Sequence, residues 1–337
     1  MTAINGRKFI TTCTPLRVSF AGGGTDLPEF YTRGYGAVYS TAIDKHLYVT
    51  VKPLSPIYGN VYRLNYSESE QADSIDAIKN IIARECLRLV PVEPPLYIGT
   101  IADLPAYSGL GSSSSFAVGL LHALHAYRGE RVSSGHLAEE AAHVEITVLK
   151  RPMGKQDHFA AAYGGLNYIR FRADGGVSIE PQNISIKRVD DLFNHLMLFW
   201  TGIHRNSSEV LTEQRQNIDS KITELETIRE HAMNLRDLVS NGSFTPQKFG
   251  AVLHGGWELK RGLASAISNT AIDGWYHKAL AAGAFGGKLC GAGGGGFLLI
   301  VAPPDRQPAV RSALQDLMEV NIGYEPHGSR VLLSVTE

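Results

Sequence analysis

The sequence predicts an α+β fold in two domains, and three observations predict it. The chain has 337 residues, beyond the ~250–300 at which a single hydrophobic core stops growing. Strand-like and helix-like segments mix without the regular alternation of a doubly wound parallel sheet. Around 172–195 the pattern loosens into short polar strands, and a fresh apolar run follows at Leu196–Trp200. The boundary is therefore expected near there, with residues 1–190 as the first domain and 191–337 as the second.

In chain order, Phe9 to Ala21 reads as a strand stopped by the Gly22-Gly23-Gly24 run, and Tyr39 to Val51, rich in Thr, Val and Tyr, as a second. Residues 72–90 show an apolar face at helical spacing (Ile75, Ile78, Ile82, Leu87, Leu89). Tyr97–Ile101 reads as a short strand. Phe116–Tyr127 has the apolar density of a buried helix, and Leu137–Leu149 reads as another. Leu196–Trp200 is a buried strand opening the second domain. From Ser207 to Val239, Leu211, Ile218, Ile222, Leu225, Ala232, Leu235 and Val239 mark a core-facing helical region. Phe297–Val301 reads as a buried strand and Gln307–Val320 as a helix.

Composition excludes several classes of function. The 32 basic and 33 acidic residues leave a formal charge of −1, without the basic excess of a general nucleic-acid or membrane-surface binder. Cys13, Cys86 and Cys290 are scattered, with no CxxC pair, which supports neither a zinc site nor a disulfide framework and fits a reducing cytoplasm. No apolar run approaches the ~18 residues of a membrane span, and no signal core follows the N-terminus. His122 with His125, and His136 with His143, lack metal-site spacing and are expected in core or surface roles.

Three glycine-rich segments carry the chemistry. Pro105-Ala-Tyr-Ser-Gly-Leu-Gly-Ser-Ser-Ser-Ser115 runs straight into the apolar helix. Gly109 and Gly111 permit positive φ and close approach of a ligand. The serines stand where free N–H groups and the positive helix end suit an anion such as a polyphosphate. Gly291–Gly296 matches G-x-G-x-x-G but leads into a strand, which excludes the dinucleotide reading; alone, it fits a plain hairpin equally well. In Arg17–Asp26 a strand ends in a glycine turn presenting Thr25 and Asp26, suited to sugar hydroxyls or to a capped turn, with Arg17 able to hold an anion. No P-loop and no protein-kinase motif set is present. Phosphoryl transfer needs a metal ligand and a group to position the hydroxyl, and Glu145 and Asp157 are candidates. Lys155, Arg205 and Lys288, at the edges of these segments, offer cations to an anionic substrate.

Taken in order, these segments resemble the GHMP kinases, from Pro15 to about Ser334. Pro105–Ser115 is similar to the family's P-x-x-x-G-L-G-S-S phosphate loop, Lys288–Phe297 to its C-terminal glycine motif, and Arg17–Asp26 to its substrate motif. The resemblance implies two α+β domains, the second ferredoxin-like, with the active site in the cleft between them. It implies ATP and Mg²⁺, the nucleotide on Pro105, Ser108, Gly109, Leu110, Gly111, Ser112, Ser113 and Ser114, and the metal on Glu145 with Ser112 or Ser113. Asp157 would be the catalytic aspartate, with Arg17 helping to polarise the hydroxyl. The substrate would meet Arg17, Gly23, Gly24, Thr25, Asp26, Lys155, Asp157, Gly202, Arg205, Lys288, Gly293 and Gly294. Gly22–Asp26, Ala42–Lys45, Gly154–Asp157, Thr201–Arg205 and Gly286–Leu289 resemble the heptose 7-phosphate kinases of surface-polysaccharide synthesis within that superfamily. The expected partners are ATP and a sugar or sugar phosphate, with no nucleic acid and no membrane, and a homodimer stays open. Two rivals remain: an L-fucose or other sugar 1-kinase, and a catalytically inactive sensor of ATP and sugar.

Overall fold

The computed structural model describes residues 8–59, 61–204 and 207–336. Its strands are β1 (Lys8–Ala21), β2 (Tyr35–Pro53), β3 (Tyr62–Asn65), β4 (Ser69–Ala72), β5 (Leu96–Ala102), β6 (Leu166–Arg172), β7 (Val177–Pro181), β8 (Leu196–Trp200), β9 (Gly286–Leu289), β10 (Phe297–Val301), β11 (Met318–Val320) and β12 (Arg330–Thr336). Its helices are α1 (Pro28–Tyr31), α2 (Ile81–Leu89), α3 (Ser112–Arg128), α4 (Ser134–Ala142), α5 (Gln156–Tyr163), α6 (Ile186–Asn194), α7 (Ser207–Gln216), α8 (Ile222–Ser240), α9 (Pro246–Arg261), α10 (Thr270–Ala281) and α11 (Gln307–Ala313). The fold is α+β.

An eight-stranded sheet runs β12-β1-β2-β5-β3-β4, with β6 on β2 and β7 on β6. β2 is long enough to serve two partners: Tyr35–Thr41 pair with β6 and Leu47–Pro53 with β5. The β1–β2 register shifts between Pro15 and Leu16, where proline has no N–H to give the ladder and a bulge accommodates it. α3 lies against β1 and β2 and is buried from Ser114 to Leu121. The second sheet is four-stranded and antiparallel, ordered β11-β8-β10-β9. Its two inner strands read as unbroken apolar runs because both faces are covered. Leu196, Leu198, Phe297, Leu299 and Val301 enter one cluster; Met197, Phe199, Leu298 and Ile300 enter the other.

Several elements differ from the sequence expectation. Of residues 72–90 only Ile81–Leu89 is α-helix. Glu70 accepts the N–H groups of Lys79 and Asn80, and the Asn80 side chain caps Ala83, so the helix starts there. The helix expected over 137–149 is α4 followed by a wider π-helical turn, His143–Val148. Within 172–195 lies α6, which presents Val189 and Leu192 to the core. The region from Ser207 divides into α7, a 3₁₀ turn at Ile218–Lys221, and α8. The final segment is α11 and then strand β11 rather than one helix. β12 returns to pair with β1, so the last strand of the chain belongs to the first sheet.

Candidate active site

A cleft of about 560 Å³ opens where the two sheets meet. Its walls come from the end of β1, the turn after it, the start of α3, residues 151–157, Lys260 of α9, and the β9–β10 connection. One end is apolar, with Leu47, Ile82, Ala102, Leu104 and Phe116; the other is polar and charged, with Arg17, Ser19, Asp26, Gln156, Asp157, Gln214, Lys260 and Lys288.

Between them lies the glycine-serine loop, residues 105–111. Arg17 donates through Nη1 to the Gly109 carbonyl at 2.8 Å and through its backbone N–H to Leu110 at 3.0 Å, tying β1 to the loop. Gly111 (φ 77°) caps α3, and Ser112 and Ser113 open its first turn at the cleft. Gly109 has φ 80°, and a Cβ there would stand 2.7 Å from the Cys290 carbonyl. The neighbour that requires glycine is thus the other glycine loop, seated directly on this one; the Phe297 N–H donates to the Ser108 carbonyl at 3.3 Å.

Arg17 is buried, and its Nε and Nη2 both donate to Asp157 Oδ1 at 2.7 Å. Asp157 sits in the first turn of α5, beside Asp26, whose Oδ2 accepts the Gln156 N–H at 3.3 Å. Burial and the Asp157 charge raise the Asp26 carboxyl above the usual range. Glu145, on the π-helical turn, is fully buried. It accepts Ser114 Oγ and His158 Nε2, both at 2.9 Å, and also Ser113 Oγ and Arg151 Nη1. Burial pushes its carboxyl up, but the His158 hydrogen bond and charge, the Arg151 charge and the Ser113 hydroxyl outweigh that and bring it down to about 2. Opposite, burial lowers Lys288 to about 7 with help from the Lys260 charge, and lowers Lys260 to about 8. Lys288 Nζ donates to the Ser19 and Phe20 carbonyls at 2.7 and 3.2 Å, and Lys260 Nζ to that of Gly291.

Among the sequence candidates, the cleft brings together Arg17, Gly23, Gly24, Asp26, Pro105, Gly109, Gly111, Ser112, Ser113, Asp157, Lys288 and Gly293. Others lie elsewhere. Ser108 and Leu110 are fully buried, and Ser114 turns to Glu145. Thr25 is a correction: its Oγ1 donates to the Gly22 and Ala37 carbonyls and closes the turn. Lys155 is another, since its Nζ pairs with Glu139 and the Gly175 carbonyl and it does not line the cleft. Gly202 and Gly294 do not line the cleft; the Gly294 N–H donates to the Ile267 carbonyl, and Gly295 faces the cavity instead. Arg205 falls outside the described residues. Sequence reasoning missed Lys260, Arg151, Ser19, Gln156 and Gln214. Gln156 adjoins Asp157 and Ser19 lies within the Arg17–Asp26 segment, so proximity could have flagged both; Lys260, Arg151 and Gln214 carry no motif.

A two-sheet α+β fold with a glycine-serine loop at a buried helix start, facing an aspartate held by arginine, is the arrangement expected of a small-molecule phosphotransferase. Comparison with known proteins agrees. Residues 75–165 match the GHMP kinases N terminal domain and residues 243–320 the GHMP kinases C terminal domain. The chain belongs to the GHMP kinases and is a sugar kinase, a phosphotransferase with an alcohol group as acceptor; kinases of this family use ATP. It is 26% identical over 319 residues to the D-glycero-alpha-D-manno-heptose 7-phosphate kinase of Campylobacter jejuni, covering 91% of this chain and 94% of the relative. It is 25% identical to the L-fucokinase/L-fucose-1-P guanylyltransferase of Bacteroides fragilis, over 88% of this chain but 35% of that longer protein. The crystal structure of a D-glycero-D-manno-heptose 1-phosphate kinase from Bacteroides thetaiotaomicron superposes with a TM-score of 0.78 at 24% identity, covering 96% of this chain and 99% of that one. No helix among the described residues is long and apolar enough to cross a membrane.

Proposed function

We propose that the protein transfers the γ-phosphate of ATP to the anomeric hydroxyl of D-glycero-D-manno-heptose 7-phosphate, giving the 1,7-bisphosphate for surface-polysaccharide precursors. One observation carries the substrate reading. At the charged end of the cleft, Ser19 Oγ, Gln156 Oε1 and Gln214 Nε2 are buried with no hydrogen-bond partner among the described residues. Orphaned buried polar atoms are costly, and a polyhydroxylated ligand would satisfy them. The cations Arg17, Lys260 and Lys288 beside them suit a ligand that also carries a phosphate. The heptose itself is supported by the likeness to the Campylobacter enzyme.

In this reading the base of ATP lies against Leu47, Ile82, Leu104 and Phe116, and its phosphates meet the N-terminus of α3. The sugar oxygen attacks the γ-phosphorus, ADP leaves, and Asp157 orients the hydroxyl and receives its proton. Ser113 and Glu145 fit Mg²⁺: they offer the hydroxyl and carboxylate oxygens a hard cation prefers, and the Arg151 guanidinium already bonds both. The metal would neutralise charge on the transferred group. Retention of Asp157, Glu145 and Ser113 in this geometry speaks against an inactive sensor. The three cysteines are buried and unpaired, in keeping with a reducing cytoplasm.

The test is ATP turnover against a panel of sugars and sugar phosphates. Heptose 7-phosphate should have the highest kcat/KM, and a phosphorylated sugar should surpass its free counterpart. Equal or better turnover of free L-fucose or galactose would overturn the heptose phosphate reading in favour of another sugar 1-kinase.

A further inference from the structure

Far from the cleft, α3 and α4 bring together side chains from two histidine pairs that look unremarkable in sequence. His125 and His136 meet across the helix pair with ring centroids 5.7 Å apart. Glu140 lies between them, one oxygen 2.8 Å from His125 Nε2 and the other 3.0 Å from His136 Nε2. The potential ligand atoms of all three residues lie within 4.8 Å of one another. On the far side of the His125 ring, Nδ1 meets Glu130 at 2.6 Å, and Arg128 holds Glu130 at 2.7 Å.

This arrangement sets a chemical constraint. A carboxylate on Nδ1 places the proton of a neutral imidazole there and leaves the Nε2 lone pair bare. That lone pair then faces a Glu140 oxygen, which is also an acceptor. Two acceptors at 2.8 Å need a proton or a metal ion between them. Protonated imidazoles supply one answer, and a metal ion supplies the other.

We propose that His125, His136 and Glu140 form a site for a borderline divalent transition metal such as zinc, with Glu130 orienting His125. Two imidazole nitrogens and one carboxylate oxygen suit Zn²⁺, Co²⁺ or Ni²⁺ and are a poor set for Mg²⁺. The His136 side chain is 53% exposed, which gives the ion an entry path and leaves its remaining positions to water. His125 stands about 20 Å along α3 from Ser112 at 1.5 Å per residue, so the site is separate from Ser113 and Glu145. An ion there would fasten the C-terminal end of α3 to α4, the helix that continues into the turn carrying Glu145. Its role is to hold structure, independent of the sugar.

The experiment is a Zn²⁺ titration of untagged, chelator-stripped full-length protein against a chromophoric competitor in excess Mg²⁺, repeated with Co²⁺ for its visible spectrum. One ion per chain is expected, with a raised thermal midpoint and a Co²⁺ spectrum of nitrogen ligation. His136→Ala should abolish binding, and Glu130→Gln should weaken it about 10–100-fold. Ser113→Ala, in the cleft, should leave it unchanged. Glu140→Gln gives a second test of the ligand set should His136→Ala fold poorly. A wild-type protein that takes up no Zn²⁺, or variants at 136 and 140 that bind as wild type, would overturn the site and leave an imidazolium–carboxylate network.

Discussion

Asp157 Oδ1 takes two hydrogen bonds from Arg17, through Nε and Nη2, each at 2.7 Å. The pair is short and largely buried, so Arg17 orients the aspartate, and in the proposed reaction it would bring positive charge to the place where the hydroxyl ionises. Asp157→Asn keeps the shape and removes the proton acceptor. Its kcat should fall by about 10²–10⁴, the usual worth of general-base help, while ATP binding measured calorimetrically stays near wild type; near-normal turnover would put the base elsewhere. These two residues were legible in sequence because each sits inside a motif. Lys260 was not: it lies in the last turn of α9, whose glycines are scattered and form no recognisable motif, and only folding brings it to the Gly291 carbonyl. Burial lowers Lys288 to about 7 and Lys260 to about 8, so both lose their protons as pH rises through that range. Their hold on an anion is strongest below it. The KM for a sugar phosphate should therefore rise between pH 7 and 9, and Lys288→Met should flatten that rise. A wild-type KM independent of pH across this interval would remove the lysines from substrate binding.

Two elements at the site act through each other rather than through ligand alone. The glycine loop after β9 lies on the 105–111 loop so closely that a side chain on Gly109 would meet the Cys290 carbonyl. Gly109→Val should thus lower the thermal midpoint and lose ATP binding together; a variant of normal stability that merely fails to bind ATP would contradict the loop-on-loop role. The sequence pointed to glycine here and could not say that the close neighbour is backbone 181 residues on, because no local pattern encodes that contact. The same holds for the helix expected over 137–149. Its apolar spacing was legible, but the π-helical turn that aims Glu145 inward rests on tertiary bonds to Ser113, Ser114, Arg151 and His158. With its carboxyl down to about 2 from the ordinary 4.5, Glu145 contributes stability present above pH 4.5 and lost as pH falls toward 2. Glu145→Gln would confound metal loss with unfolding, so Ser113→Ala is the cleaner probe. That variant leaves Ser114, Arg151 and His158 on Glu145, so it should lower the midpoint less than Glu145→Gln and need several-fold more Mg²⁺ for half-maximal rate. A Mg²⁺ titration unchanged from wild type would exclude Ser113 as a ligand.

Across the whole molecule, the sequence pattern showed where the second sheet begins and could not show where the chain ends up. β8 and β10 were legible because strands covered on both faces are continuous apolar runs. β12 was not, because Val331, Leu332, Leu333 and Val335 are partly exposed on an outer strand and its identity comes from its partner. It pairs with Lys8–Cys13, while Arg17, farther along β1, pairs on the β2 side with Ala42. Just before it, Ser329 Oγ meets Thr14 Oγ1 at 2.9 Å and His122 Nδ1 at 3.0 Å. The terminal strand therefore secures the half of β1 that is remote from the cleft. Ending the chain after Ser329 separates stability from chemistry. The loss of several ladder hydrogen bonds, each worth a net ~0.5–1.5 kcal/mol, should lower the thermal midpoint by roughly 5–10 °C at about 2–4 °C per kcal/mol. Because the β2 ladder and the Leu110 contact still hold Arg17, kcat well below the transition should stay within about twofold of wild type. An unchanged midpoint would show that β12 adds nothing to the sheet. A folded but inactive truncation would show that the far end of β1 does reach the active site.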